Sequence, residues 1–141
     1  MILDANLLLY ASNSADPRHE RAADVVQKAL NGPRRVGLPW QTLSAFARIA
    51  THPRVFPSPL SADDAALQVE QWLAAPAAWV PVPTPRHAEI FLQLLRAGRV
   101  TGAMVTDAHL AALALEHGVA IWSTDADFAR FDGVVWHDPL R

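Results

Sequence analysis

Residues 1–11 read Met1-Ile2-Leu3-Asp4-Ala5-Asn6-Leu7-Leu8-Leu9-Tyr10-Ala11, an apolar run that ends in an aspartate and continues into a leucine-rich segment. A late apolar run, Val119-Ala120-Ile121-Trp122-Ser123-Thr124-Asp125, also ends in an aspartate, and Asp107 opens the alanine-rich segment before it. If the two runs are neighbouring parallel strands, these carboxylates meet at the carboxyl edge of one sheet, where α/β proteins bind ligands. Carboxylates this close repel one another unless they are protonated or bridged by a cation. The pattern therefore predicts a divalent-cation site.

The composition is typical of one folded domain. The 141 residues suffice for a single well-buried core, and the content is 51% hydrophobic and 18% charged. We find no internal repeat and no low-complexity segment, and the eleven prolines are spread along the chain instead of forming one linker. We therefore predict a single domain over residues 1–141.

The composition also excludes several classes of protein. There is no cysteine, which rules out structural disulfides and thiolate zinc sites and suits a reducing cytoplasm. No apolar run approaches the roughly 20 residues that span a bilayer, and Asp4 interrupts the first one, so we expect a cytoplasmic protein without a signal peptide or membrane segment. The net charge of −2 gives no bulk attraction to nucleic acid. A nucleic-acid substrate would need a local basic surface or bound cations.

Strand-like and helix-like segments alternate along the chain. Ser61 resembles the N-cap of one helix, and Gly118 the C-terminal cap of the helix that contains Asp107. Alternation of this kind favours an α/β fold with a mostly parallel sheet covered by helices on both faces. The predicted strands are Met1–Asp4, Val36–Leu38, Trp79–Val82, Val119–Ser123 and Val134–Trp136.

Three motifs carry a family resemblance. Residues 1–11 are similar to the first motif of PIN-domain proteins, close to that of VapC-type toxins. Thr106-Asp107-Ala108-His109-Leu110-Ala111-Ala112-Leu113-Ala114 resembles the later "D-A-x-x-A-A-x-A" helix of the family, and Ser123-Thr124-Asp125-Ala126-Asp127-Phe128 resembles its "T-D-x-D-F" segment. The matches fall in order and span nearly the whole chain. The resemblance implies a five-stranded parallel sheet in which strands 1 and 4 are adjacent, so that Asp4 and Asp125 meet.

The resemblance also implies a function: an Mg²⁺- or Mn²⁺-dependent endoribonuclease toxin, inhibited by a small VapB-type antitoxin and expected to form a homodimer. The chemistry agrees, because these ions prefer oxygen ligands, lower the pKa of bound water and stabilise charge on phosphate. We predict Asp4, Asp107 and Asp125 as catalytic metal ligands, with Asp127 as a lesser candidate. The predicted supporting groups are Asn6, Ser44 and Thr124.

Simpler interpretations stay open for two of these acids. Asp125 is also a suitable N-cap for a helix over residues 126–130, and Asp107 also suits the first turn of its helix electrostatically. His109 is predicted to be a packing or solvated residue, because it lies on a different helical face from Asp107. Arg48 and Arg54 are the leading candidates for RNA phosphate contacts. Four of the five tryptophans are predicted to lie in the core, and Trp40 is the candidate for lining the cleft.

One departure from the family pattern matters. In the family pattern, the helix that corresponds to residues 40–50 usually carries a glutamate that completes an acidic quartet. In this chain the alignment places Ala45 at that position. The site is then reduced to aspartates, with Asp127 or Ser44 compensating in part, or it is inactive. The second hypothesis is accordingly a catalytically reduced PIN domain that binds RNA or an antitoxin. The third is a phosphohydrolase or receiver-type domain with an aspartate as phosphoryl acceptor, but residues 4–6 read Asp-Ala-Asn where a haloacid-dehalogenase strand would carry Asp-x-Asp.

Overall fold

The computed structural model describes residues 1–141. The fold contains one five-stranded sheet. The strand order is β3-β2-β1-β4-β5, and every pairing is parallel. The strands are β1 (Ile2–Leu3), β2 (Val36–Gly37), β3 (Ala78–Trp79), β4 (Ile121–Trp122) and β5 (Trp136–His137). The predicted α/β class and the adjacency of strands 1 and 4 are both confirmed.

Six α-helices connect the strands. They are α1 (Ala5–Ser12), α2 (His19–Leu30), α3 (Trp40–Ala50), α4 (Ala62–Leu73), α5 (His87–Gly98) and α6 (Met104–His117). A 3-10 helix, Ala126–Arg130, lies between β4 and β5. None of the helices is long and apolar enough to cross a membrane.

The helices cover both faces of the sheet because side chains alternate along β1. Leu3 packs into one core cluster with Leu7, Val36 and Phe46, on the side of α1 to α4. Ile2 packs into a second cluster, which is formed mainly by α5, α6 and β4. Successive strand residues point to opposite faces, so a two-residue strand is enough to anchor two layers.

Two predicted helix caps are confirmed. The Ser61 hydroxyl accepts a hydrogen bond from the Asp64 backbone N–H at 3.0 Å. Gly118 ends α6 with φ of 63°, a left-handed conformation that glycine adopts at little cost. The α3 helix has no side-chain cap at its start. Its position is set instead by the buried Thr42 hydroxyl, which donates a hydrogen bond to the Leu3 carbonyl at 3.0 Å. That contact places the start of α3 beside the end of β1.

The order of connections creates a switch point. The chain runs from β1 outward to β2 and β3, and then returns to the other side of β1 for β4 and β5. The crevice between the carboxyl ends of β1 and β4 is the place where open α/β sheets bind ligands. Asp4 and Ser123 are the residues that directly follow these two strands.

Candidate functional site

Ser123 is the centre of the hydrogen-bond network at this crevice. Its side chain is fully buried, and its hydroxyl donates to Asp4 Oδ2 at 2.7 Å. The same oxygen accepts from Asn6 Nδ2 and from the Asp125 backbone N–H, both at 2.9 Å. One hydroxyl thus uses its donor and both acceptor positions, and it holds the segments that follow β1 and β4 together.

Asp4 and Asp125 both cap helices. Asp4 Oδ1 accepts from the Ala5 N–H at 2.7 Å at the start of α1, and Asp125 Oδ1 accepts from the Asp127 N–H at 2.9 Å in the 3-10 helix. The capping interpretation of Asp125 is therefore correct. Capping does not use the whole carboxylate, because Asp125 Oδ2 makes no hydrogen bond and the side chain is exposed.

Asp107 belongs to the same electrostatic site. It lies in the first turn of α6, half-buried and without a hydrogen-bond partner. Burial, followed by the negative charges of Asp4, Asp125 and Asp127, raises the pKa of Asp107 to about 6. Burial also raises the pKa of Asp4, against the hydrogen bonds from Ser123 and Ala5, and the charge of Asp125 adds to the rise. The fold therefore brings all four predicted acids within electrostatic range of one another.

The donor set suits a hard divalent cation. All the charged groups are carboxylates, and Asn6 Oδ1 adds a carbonyl oxygen that is buried without a hydrogen-bond partner. A buried acceptor of this kind calls for a donor, a water or a cation. As the side chains lie, no group of three or more His, Asp or Glu residues is arranged to hold a metal ion. The residues available to such an ion are Asp4, Asp107, Asp125 and Asp127.

The side chains of the other predicted site residues are not joined to the acids. Ser44 is exposed and donates to the Gln41 carbonyl within α3 at 3.3 Å, and half-buried Thr124 makes no side-chain hydrogen bond. Ala45 is half-buried on α3. Arg48 and Arg54 are exposed and form no ion pair. None of these five side chains makes a hydrogen bond or an ion pair with an aspartate of the site.

The remaining predictions concern aromatic groups. His109 packs against His87 and Phe91, with ring centroids 4.7 and 5.8 Å apart, which confirms the packing interpretation. Trp72 is buried, whereas Trp40 is 58% exposed at the start of α3. The exposed Trp40 side chain lines a groove between α3 and α4, together with Leu43 and Ala47.

Sequence reasoning missed two residues at this site. Ser123 belongs to the motif of residues 123–128 but is not among the predicted site residues, although a polar residue that directly follows an apolar strand is itself a signal. Arg130 ends the 3-10 helix, and its Nη1 lies 3.9 Å from Asp127 Oδ1. The spacing contains a signal for this arginine, because Asp127 and Arg130 are three positions apart in the helix that Asp125 could cap.

A parallel α/β sheet with acids at its switch point defines the class of protein. The sequence matches the family model described as PIN domain over residues 1–134, and the chain belongs to the PIN domain family. Ribonuclease VapC37 of Mycobacterium tuberculosis is 47% identical over 138 residues, which cover 98% of this chain and 96% of that protein. Ribonuclease VapC33 of the same species is 43% identical over 141 residues, which cover 100% and 99%.

Solved structures show the same fold at lower identity. Mycobacterium tuberculosis VapC20, described as a sarcin-ricin loop cleaving toxin, has a TM-score of 0.67 at 18% identity and covers 95% of both chains. VapBC2 of Rickettsia felis, bound to a DNA fragment from its promoter, has a TM-score of 0.66 at 12% identity and covers 96% of both chains. These similarities establish the architecture.

Proposed function

We propose that this protein is an Mg²⁺- or Mn²⁺-dependent endoribonuclease that acts as the toxin of a VapBC-type pair. The observation that carries the proposal is the electrostatic coupling of Asp107 to Asp4, Asp125 and Asp127 at the sheet's switch point. Four carboxylates in one crevice destabilise the fold unless a ligand uses them, so their presence favours a cation-binding role. The relatives that match nearly the whole chain are named ribonucleases, which supports RNA as the substrate.

Each acid has a distinct part in the proposed site. Asp4 is the most firmly positioned, since both of its oxygens are hydrogen-bonded. Asp107 has no hydrogen-bond partner and is free to ligate once it is ionised. A divalent ion at the site supplies a water of lowered pKa and neutralises charge on the phosphate oxygens. Asn6, held by Ser123, keeps its free carbonyl oxygen directed into buried space where a water or the ion is needed.

The proposed partner is a VapB-type antitoxin. Structural neighbours of this fold include VapBC2 of Rickettsia felis and FitAB, each bound to a DNA fragment, and the two-component names support a partner protein for this chain. Apolar surface is available for such a partner or for a homodimer, because exposed Trp40 and the groove between α3 and α4 are not covered within this chain. The homodimer is proposed on the same grounds.

A second candidate function is a catalytically reduced domain that binds RNA or antitoxin without cleavage. Ala45 favours it, because an alanine provides neither a metal ligand nor a base where the family pattern has a glutamate. The two candidates differ in one measurable property, which is whether the aspartates bind a divalent ion.

Thermal unfolding of antitoxin-free protein with increasing Mn²⁺ or Mg²⁺ tests the proposal. Binding to the folded state stabilises it by RT ln(1 + [L]/Kd), about 2.7 kcal/mol at a hundredfold excess over Kd. We expect Asp4→Asn and Asp107→Asn to lose this stabilisation, and Asp63→Asn, which removes an exposed charge from the first turn of α4, to keep it. No stabilisation of the wild type at millimolar metal would favour the reduced domain. RNA cleavage that survives in both site variants would refute the assigned site.

A further inference from the structure

A groove of about 320 Å³ lies along α5, and one of its lining residues, Arg130, lies 3.9 Å from Asp127 of the acidic site. Its floor is apolar and includes Leu94, Leu115 and Phe131. Its rim carries Arg86, which directly precedes α5, and Arg130, which ends the 3-10 helix that carries Asp127. Asp132 is the one acidic residue among the ten that line it. The groove is therefore a locally basic surface on a chain whose net charge is −2.

Both arginines are available to bind an anion. Arg86 is exposed and forms no ion pair. The Arg130 side chain is 58% exposed, and its nearest carboxylate oxygen, on Asp127, is 3.9 Å away. Ion pairs this long at an exposed position contribute little, so this contact does not consume the charge of Arg130. Its other contact is a weak hydrogen bond to Met104 Sδ at 3.4 Å.

Resting on the proposed function, we propose that this groove binds the RNA strand as it leaves the acidic site, with Arg130 and Arg86 contacting its phosphates. Arg130 lies beside Asp127, and a stacked strand advances about 3.4 Å per nucleotide. When the aspartates hold one phosphate of the strand, the next phosphate is therefore within reach of Arg130. The groove follows α5 from Arg86 to Gly98. A helix of that length extends about 18 Å, which is about five nucleotides of a stacked strand.

The positive charge beside the aspartates favours RNA over a protein partner as the occupant of the groove. The aspartates repel phosphates unless cations cover them, so a strand reaching the site gains from positive charge immediately beside it. Arg48 and Arg54, the arginines selected from the sequence, contact none of these aspartates. Arg130 is the arginine that forms an ion pair with an acid of the site.

Binding of a fluorescein-labelled oligouridylate of about ten nucleotides, which at 3.4 Å per nucleotide is longer than the groove, tests the proposal. Anisotropy is measured across a salt series in EDTA, so that no cleavage interferes. Each phosphate contact to a single strand contributes about 0.7 to the slope of log K against log salt. The double variant Arg86→Ala with Arg130→Ala should lower the slope by about 1.4 and weaken binding about 25-fold at 0.1 M salt. Arg130→Lys, which keeps the charge, should retain most of the slope.

Arg34→Ala is the matched control, because Arg34 is exposed and precedes β2, which lies on the opposite side of β1 from β4. It removes the same charge and should leave the slope unchanged. Normal RNA binding by the double variant would overturn the proposal that the groove binds RNA, and it would leave the proposed function intact. Absence of RNA binding by the wild type, both in EDTA and with Mg²⁺ restored, would overturn both the groove proposal and the proposed function. Retained RNA binding with loss of antitoxin co-purification would show that the groove is a protein interface and overturn the proposal.

Discussion

The Ser123 hydroxyl lies 2.7 Å from Asp4 Oδ2, which makes it the donor that orients the most buried carboxylate of the site. Asp4 and Ser123 are 119 positions apart in the chain, and the pairing of β1 with β4 brings them together. The integrity of the acidic site therefore depends on a neutral residue that is itself no metal ligand.

Replacement of Ser123 by alanine should destabilise the protein. The change leaves Asn6 Nδ2 and the Asp125 N–H without their acceptor and Asp4 Oδ2 without its donor. Unsatisfied buried groups cost about 1–3 kcal/mol each, so we expect the free energy of unfolding in urea to fall by at least about 2 kcal/mol. Ser44→Ala is the control, since its exposed hydroxyl donates only within α3. Equal effects of the two changes would contradict the assigned role of Ser123.

The pH dependence of stability should reveal the coupling of Asp107. Its pKa of about 6 in the folded state exceeds the ordinary 3.8, so the folded protein holds an extra proton between these values. The free energy of unfolding of metal-free protein should therefore fall as the pH rises through that window. The stability contributed by the proton on Asp107 is fully present only below pH 3.8. Because Asp107 is only half-buried, solvent screening limits the effect to about 1 kcal/mol.

The Asp107→Asn variant isolates this effect. In EDTA we expect it to unfold at a higher temperature than the wild type at pH 7.5 and to lose that advantage at pH 4, as followed by circular dichroism. Asp63→Asn, also in the first turn of a helix, controls for the lost interaction with the helix dipole. A difference between wild type and Asp107→Asn that is independent of pH would rule out the coupling.

The sequence predicts the positions of the acids better than it predicts the boundaries of the elements. Asp4 and Asp125 follow apolar runs, and that local pattern is enough to place them at a strand end. The sequence predicts the last strand at Val134–Trp136, but the strand pairs as Trp136–His137. It predicts the third strand at Trp79–Val82, but that strand pairs as Ala78–Trp79. Strands of two residues are defined by the register of their neighbours, which periodicity does not contain.

Long-range contacts explain what the sequence did not reveal. The role of Ser123 depends on the order of the strands, which residue spacing does not contain. An Asp-Pro pair such as Asp16-Pro17 is typical of a helix start, yet α2 begins at His19, because the Asp16 carboxylate accepts from both the backbone and the guanidinium of Arg18 in a turn.

Glu116 should stabilise the packing of α6 against the segment before α5. Its side chain is fully enclosed and accepts from the Thr84 N–H at 2.8 Å, from the Thr84 hydroxyl at 2.7 Å and from His87. Burial pushes the pKa of Glu116 up, but the hydrogen bonds from His87 and Thr84 outweigh it and hold the pKa below 4.5. This stability is present above pH 4.5 and is lost as the pH falls through the lowered pKa.

The Glu116→Gln variant should therefore lower the free energy of unfolding by about 1–3 kcal/mol at pH 7, with a smaller difference in acid. Glu89→Gln, an exposed residue in the first turn of α5, serves as its control in the same urea titrations. A loss of stability that is the same at pH 7 and in acid would show that Glu116 does not act through its charge.

The final prediction concerns the missing glutamate. If Ala45 occupies the place of the fourth acid, Ala45→Glu adds a ligand to the crevice and a further negative charge to the metal-free site. We expect the variant to unfold at a lower temperature than the wild type in EDTA and to gain more stability from Mn²⁺, because carboxylates that repel one another are bridged by the ion. Ala47→Glu is the matched control, since Ala47 is an equally half-buried alanine of α3 that lines the groove toward α4. The same response to Mn²⁺ in both variants would show that position 45 does not reach the acids and that the aspartates form the site without it.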